Sequence, residues 1–141
     1  MRNAAQTQPE MKAKMLYKIL IVDDSKLARM AVNKALNALY PDWVRLEAAN
    51  AEQAMAALNE GNPDIAVVDF NMPGGNGLDL AAAFREAKPG MAVALVSANR
   101  QQEIINRTRA IGATFLPKPL TQEALGDFLN AAVHKMTKTQ S

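Results

Sequence analysis

Asp23 and Asp24 close the apolar run Ile19-Leu20-Ile21-Val22, and Asp69 closes a second run, Ile65-Ala66-Val67-Val68. Ser97 follows Met91-Ala92-Val93-Ala94-Leu95-Val96, and Lys118 comes just after the short run Thr114-Phe115-Leu116. Brought to one place, these groups would have a definite chemistry. Carboxylates roughly 5 Å apart repel by about 3 kcal/mol per pair at an effective dielectric of about 20. Three of them must raise one another's pKa or gather cations. Lys118 supplies one positive charge, and a divalent cation would neutralise the two negative charges that remain. The donors are all hard oxygens, with no cysteine in the chain and its one histidine, His134, far along the last helical segment, so Mg²⁺ is the matching ion. A cation and a lysine around an aspartate suit phosphoryl transfer to a carboxylate, where the protein's work is positioning and charge neutralisation. Asp69 is the candidate nucleophile, and Asp23 and Asp24 are the candidate metal holders. Lys118 would pair with a phosphoryl oxygen, and the Ser97 hydroxyl could bond to another.

These residues meet only if the runs that carry them lie side by side. Strand one is Lys18 to Val22, strand two Trp43 to Ala48, strand three Asp64 to Val68, strand four Met91 to Val96 and strand five Thr114 to Pro117. Helix-like segments separate them. The first starts at an Asp24 or Ser25 cap, places Leu27, Ala31, Ala35 and Ala38 on one face, and must stop near Tyr40 because Pro41 restricts the residue before it. The second opens with a capping-box-like Asn50 and Gln53, buries Ala51, Ala54, Met55 and Leu58, and ends at Gly61. The third follows a loop with Pro73, Gly74, Gly75 and Gly77 and stops at Lys88-Pro89-Gly90. The fourth follows Asn99, with Ile104, Thr108 and Ile111 on one side. The fifth is capped by Thr121 and buries Leu125, Phe128, Leu129, Ala132 and Met136.

Strands alternating with helices imply an α/β domain whose parallel sheet is covered on both faces, as the unbroken apolar character of strands three and four requires. Right-handed crossovers leave few topologies. The doubly wound, flavodoxin-like order 2-1-3-4-5 makes strand five an edge, which tolerates Pro117. It also makes strands one and three neighbours, so that Asp23, Asp24 and Asp69 flank the switch point where such sheets bind ligands.

Composition fits one domain. The 141 residues are 49% hydrophobic and 21% charged, with a net charge of +2, which argues neither for nucleic acid nor for a membrane surface as partner. Without cysteine there is no disulfide or thiolate chemistry. No stretch reaches the length of a membrane span, and the N-terminus lacks a signal-peptide core, so a cytoplasmic location is expected. Residues 1–15 read as a disordered tail, 16–137 as the domain, and 138–141 as a C-terminal tail.

Together the motifs Ile21-Val22-Asp23-Asp24-Ser25, Val67-Val68-Asp69-Phe70-Asn71-Met72-Pro73 with Gly77, Val96-Ser97-Ala98 and Lys118-Pro119 resemble a response-regulator receiver domain, in architecture the stand-alone chemotaxis type. The resemblance spans about Lys18 to Met136. It implies that a histidine kinase or phosphotransfer protein donates a phosphoryl group to Asp69. It implies Mg²⁺ held by Asp24 and Asp69 directly, by the main-chain oxygen of Asn71, and by Asp23 through water. It further implies a cis peptide before Pro119, movement of Ser97 toward the phosphoryl group and an inward turn of Phe115. Those changes would remodel the face of helix four, strand five and helix five, where an output protein docks, and a homodimer through that face is left open. Asn71 and Asn99 stand where the family tunes water attack on the phosphoryl group. Phe115 replaces a common tyrosine, and Ser97 a frequent threonine.

Each residue also has a plainer role: Asp24 and Ser25 as helix caps, Asp69 as a turn acid, Lys118 as a solvated lysine and Ser97 as a strand-end hydroxyl. What favours the site is that four strand ends carry suitable groups at once. The expected function is a signalling switch that is no enzyme beyond its own phosphorylation and dephosphorylation. The alternatives are a haloacid-dehalogenase-like phosphatase, which would want a second acid where Asn71 stands, and a flavodoxin-like electron carrier, for which no phosphate-cradling loop is evident.

Overall fold

The computed structural model describes residues 16–140 apart from Gly74. The tail expected over residues 1–15 lies outside the described residues. Five parallel strands, β1 (Lys18–Val22), β2 (Val44–Ala48), β3 (Ile65–Asp69), β4 (Ala92–Ser97) and β5 (Thr114–Pro117), form one sheet in the order β2-β1-β3-β4-β5. This is the expected doubly wound order, with Pro117 on an edge strand. Among the described residues five helices connect and cover the strands: α1 (Lys26–Leu39), α2 (Ala51–Gly61), α3 (Gly77–Ala87), α4 (Gln102–Ala110) and α5 (Gln122–Gln140).

Alternation along the strands divides the core in two. Ile19, Ile21, Ile65, Val67, Ala94 and Val96 point to the side covered by α1 and α5, where Leu36, Leu125, Phe128 and Leu129 meet them. Leu20, Val22, Ala66, Val68, Val93 and Leu95 point to the other side, against Leu58 of α2, Phe84 of α3 and Ile104 of α4. The central β3 is buried at every position, as a strand covered on both faces must be.

Several boundaries differ from the sequence reading, each for a local reason. Asp69 and Ser97 are the last residues of β3 and β4 rather than the first residues after them, because the ladder extends to pair Asp69 with Val96 and Ser97 with Pro117. The α1 face differs as well. Leu27, Ala31 and Ala38 are exposed, and Val32, Ala35, Leu36 and Leu39 turn to the core. Both sets are apolar, so periodicity alone did not phase the helix. Asn62, in the left-handed region at φ 50°, caps α2, one residue beyond Gly61. Helix α5 runs on to Gln140, with no glycine or proline after Gly126.

Candidate functional site

The site is built on Asp69, whose side chain is only 5% exposed. The Phe70 N–H donates to Val96 O at 2.9 Å, so the main chain stays anchored one step past the acid. Gly77 presses from the other side. Its N–H donates to Phe70 O at 2.7 Å, and a Cβ there would lie 2.0 Å from Asp69 O and 2.9 Å from Phe70 Cα. Only glycine lets the first turn of α3 sit this close. Between them, Asn71–Met72 and Gly75–Asn76 form a two-residue antiparallel ladder. Asn76 caps α3 by accepting the Asp79 N–H at 2.9 Å. Asn71 thus sits on a small hairpin two residues beyond Asp69, with its side chain exposed.

Asp23 and Asp24 follow β1 beside this point. Ser25 is the cap of α1, its hydroxyl accepting the Ala28 N–H at 3.1 Å, which leaves Asp24 free of that duty. Asp24 is exposed and Asp23 half-buried, yet one carboxylate oxygen from each lies within 4.8 Å of the other and of one from Asp69. Burial pushes the Asp23 carboxyl above its ordinary range. The Ser25 N–H pulls it back, the Asp69 charge raises it, Lys118 lowers it, and Asp24 raises it again.

Lys118 Nζ stands 2.6 Å from Asp69 Oδ1. The contact is a short ion pair, and among the described residues no hydrogen-bond donor besides that ammonium is found on the buried Oδ1. A carboxylate accepts about four hydrogen bonds or ligand contacts, so a buried one with a single charged partner has room for a further cation or donor. Three carboxylates against one amine leave an excess of negative charge on oxygen donors, which fits a hard divalent cation such as Mg²⁺.

Ser97 is buried at the end of β4, but its hydroxyl is engaged in its own loop. It accepts the Asn99 N–H at 2.9 Å and lies 3.3 Å from Asn99 O. The Lys118 N–H donates to Ser97 O at 3.0 Å, and the Lys118-Pro119 peptide is cis, as the resemblance implied. Phe115 is half-buried against the α2-α3-α4 side of the core.

Arg29 escaped the sequence reading. From the first turn of α1 its Nη1 donates to Asp23 O at 2.6 Å and its Nε to Glu47 Oε1 at 2.9 Å. The contact depends on β2 pairing in register with β1, which sets Glu47 beside Ile21. An arginine soon after an acid pair was the only signal in the sequence.

Comparison with known proteins agrees with this geometry. The sequence matches the response regulator receiver domain family over residues 19–130. The glycerol metabolism activator of Pseudomonas putida is 30% identical over 125 residues, 84% of this chain and 57% of that protein. Sporulation initiation phosphotransferase F of Bacillus subtilis (strain 168) is 27% identical over 114 residues, 80% of this chain and 90% of that one. A CheY-like response regulator receiver domain protein from Methanospirillum hungatei JF-1 has the same fold, with a TM-score of 0.80 at 22% identity, covering 88% of this chain and 98% of that one. The chain thus spans little more than half of the first of these relatives and nearly all of the second.

Proposed function

This chain belongs to the response regulator receiver domain family, the phosphorylation-dependent switches of two-component signalling, and from that premise we propose that Asp69 is the residue that receives the phosphoryl group. One observation carries the reading: Lys118 Nζ, 2.6 Å from a buried and otherwise unpartnered oxygen of Asp69, beside two further carboxylates. Receiver domains work with histidine kinases or phosphotransfer proteins and with output partners. A phosphohistidine of such a donor meets Asp69 at the strand ends. An Asp69 oxygen attacks phosphorus, the P–N bond breaks, and the imidazole leaves with the bonding electrons. Lys118 pairs with a phosphoryl oxygen and screens the approach of two anions. Asp23, Asp24, Asp69 and the main-chain oxygen of Asn71 would hold Mg²⁺, which supplies charge neutralisation when bound.

The response travels along the β4 and β5 ends. Ser97 exchanges its bond to Asn99 for one to the phosphoryl group, and the loop before α4 shifts with it. Arg100 Nη2, which donates to Lys118 O at 3.2 Å, ties that loop to the same lysine. The face of α4, β5 and α5, with Phe115 half-buried beneath it, then presents an altered surface to an output protein or to a second copy of the chain. In this reading the switching unit comprises residues 16–137, has no substrate beyond its own aspartate, and works in the cytoplasm. Among the described residues no helix is long and apolar enough to cross a membrane.

Incubation with acetyl phosphate and Mg²⁺, followed by intact-mass analysis, tests the reading. The expected product carries one phosphoryl group, and Asp69→Asn carries none. Equal labelling of Asp69→Asn would refute the assignment.

A further inference from the structure

We infer that Arg29 and Glu47 form a clamp that fixes the main chain of Asp23 and thereby sets the cation affinity of the acid site. Arg29 is a positioning residue here and not a ligand, and the inference rests on reading Asp23, Asp24 and Asp69 as the Mg²⁺ site. The argument begins with how Asp23 is held. Its N–H donates to Ala48 O at 3.0 Å. Its Oδ1 accepts the Ser25 N–H at 2.9 Å, and its carbonyl oxygen accepts Arg29 Nη1 at 2.6 Å. The anchors come from β2, from the turn and from α1, and they hold Asp23 with one of its carboxylate oxygens within 4.8 Å of one from Asp24 and one from Asp69.

The chemistry of the clamp explains why it is an arginine. A guanidinium offers several N–H groups in one rigid plane, so Nη1 and Nε serve two acceptors at fixed separation, which an ammonium does not do. Glu47 completes the arrangement. Its Oε1 takes Arg29 Nε at 2.9 Å, and its Oε2 accepts Asn33 Nδ2 at 3.2 Å. The Arg29 side chain is 15% exposed and that of Glu47 44%. Glu47 also cancels charge. A bare guanidinium against Asp23 would repel Mg²⁺, and the adjoining carboxylate removes most of that repulsion. The pair holds the acid turn in place without adding net positive charge to it.

Isothermal titration of the whole chain with MgCl₂ tests this, with circular dichroism confirming that each variant is folded. The expected result for Arg29→Ala is an affinity about tenfold lower than wild type, the scale of losses when groups orienting a metal ligand are removed. The sign is diagnostic, because deleting a positive charge by itself strengthens cation binding. A folded Arg29→Ala that binds Mg²⁺ as well as or better than wild type overturns the clamp. Arg29→Lys keeps the charge and loses the fork; an affinity roughly threefold lower is expected. Should Arg29→Ala fail to fold, Arg29→Lys decides, and wild-type affinity in it overturns the clamp. Glu47→Gln unmasks the guanidinium and is expected to weaken binding at low ionic strength, with recovery in high salt. Unchanged low-salt affinity in Glu47→Gln also counts against the clamp. A wild-type chain that takes up no Mg²⁺ defeats the reading of the acid site itself, which separates that failure from failure of the clamp.

Discussion

The two ends of the sheet treat charge in opposite ways. At the lower end, where the strands begin, Arg85 donates Nε to Ile111 O at 3.1 Å and Nη1 to Pro89 O at 2.7 Å and Met91 O at 2.6 Å. Beside it, Asp64 Oδ2 accepts the Lys18 N–H at 2.9 Å, and Lys18 Nζ donates to Gly61 O at 3.2 Å. Each of these charged groups is spent on closing main-chain carbonyls and amides. At the upper end one oxygen from each of three carboxylates lies within 4.8 Å of the others, and among the described residues Lys118 pairs with Asp69 alone. The lower charges stabilise the fold because their partners are fixed. The upper charges oppose it until a cation or donor arrives.

Variants can sharpen or break this contrast. The largest effect is expected at Gly77, which belongs to the upper end but works by shape. Gly77→Ala drives a methyl into Asp69 O, and main chain yields less readily than a side chain. A loss of about 3 kcal/mol or more is expected in urea unfolding, together with slower phosphorylation of what remains folded. Arg85→Ala leaves three carbonyls without their donor and should cost about 2–4 kcal/mol. The folded fraction should still label fully with acetyl phosphate. Loss of labelling at unchanged stability would erase the division between the ends. The smallest effect is expected at Asp23. Its folded-state pKa lies above the ordinary carboxylate range, so the protonated form favours the fold at low pH, and that advantage is lost as pH rises through the raised value. Without Mg²⁺, Asp23→Asn should therefore melt higher than wild type at pH 7, with the gap closing below about pH 4. A gap that widens on acidification would mean that Asp23 is stabilised as a charge.

The same contrast explains what the sequence disclosed. Polar groups at the ends of apolar runs could be seen without coordinates, because strand ends in a doubly wound sheet share one edge by topology. Asp23, Asp24, Asp69 and Lys118 converge as that rule requires. Sequence did not disclose contacts that depend on register or helix phase. The Arg29 to Glu47 pair needs β2 aligned on β1, and the buried face of α1 needs a choice between two apolar stripes. Ser97 reaches the right edge, yet its hydroxyl is taken by Asn99, a preference set by loop geometry rather than by residue type. Gly77 could be noted as a loop glycine, but its need for a missing methyl shows only when α3 is packed onto Phe70.

The bond from the Asn99 amide to the Ser97 hydroxyl has a thermodynamic consequence. A hydroxyl already capping its own turn is not a spare group, and recruiting it elsewhere leaves an amide to be rehydrated. Rearrangement then trades that bond for its replacement, and only the difference between the two biases the population. Where that difference is small, one added charge can tip the balance, and its removal lets the balance return.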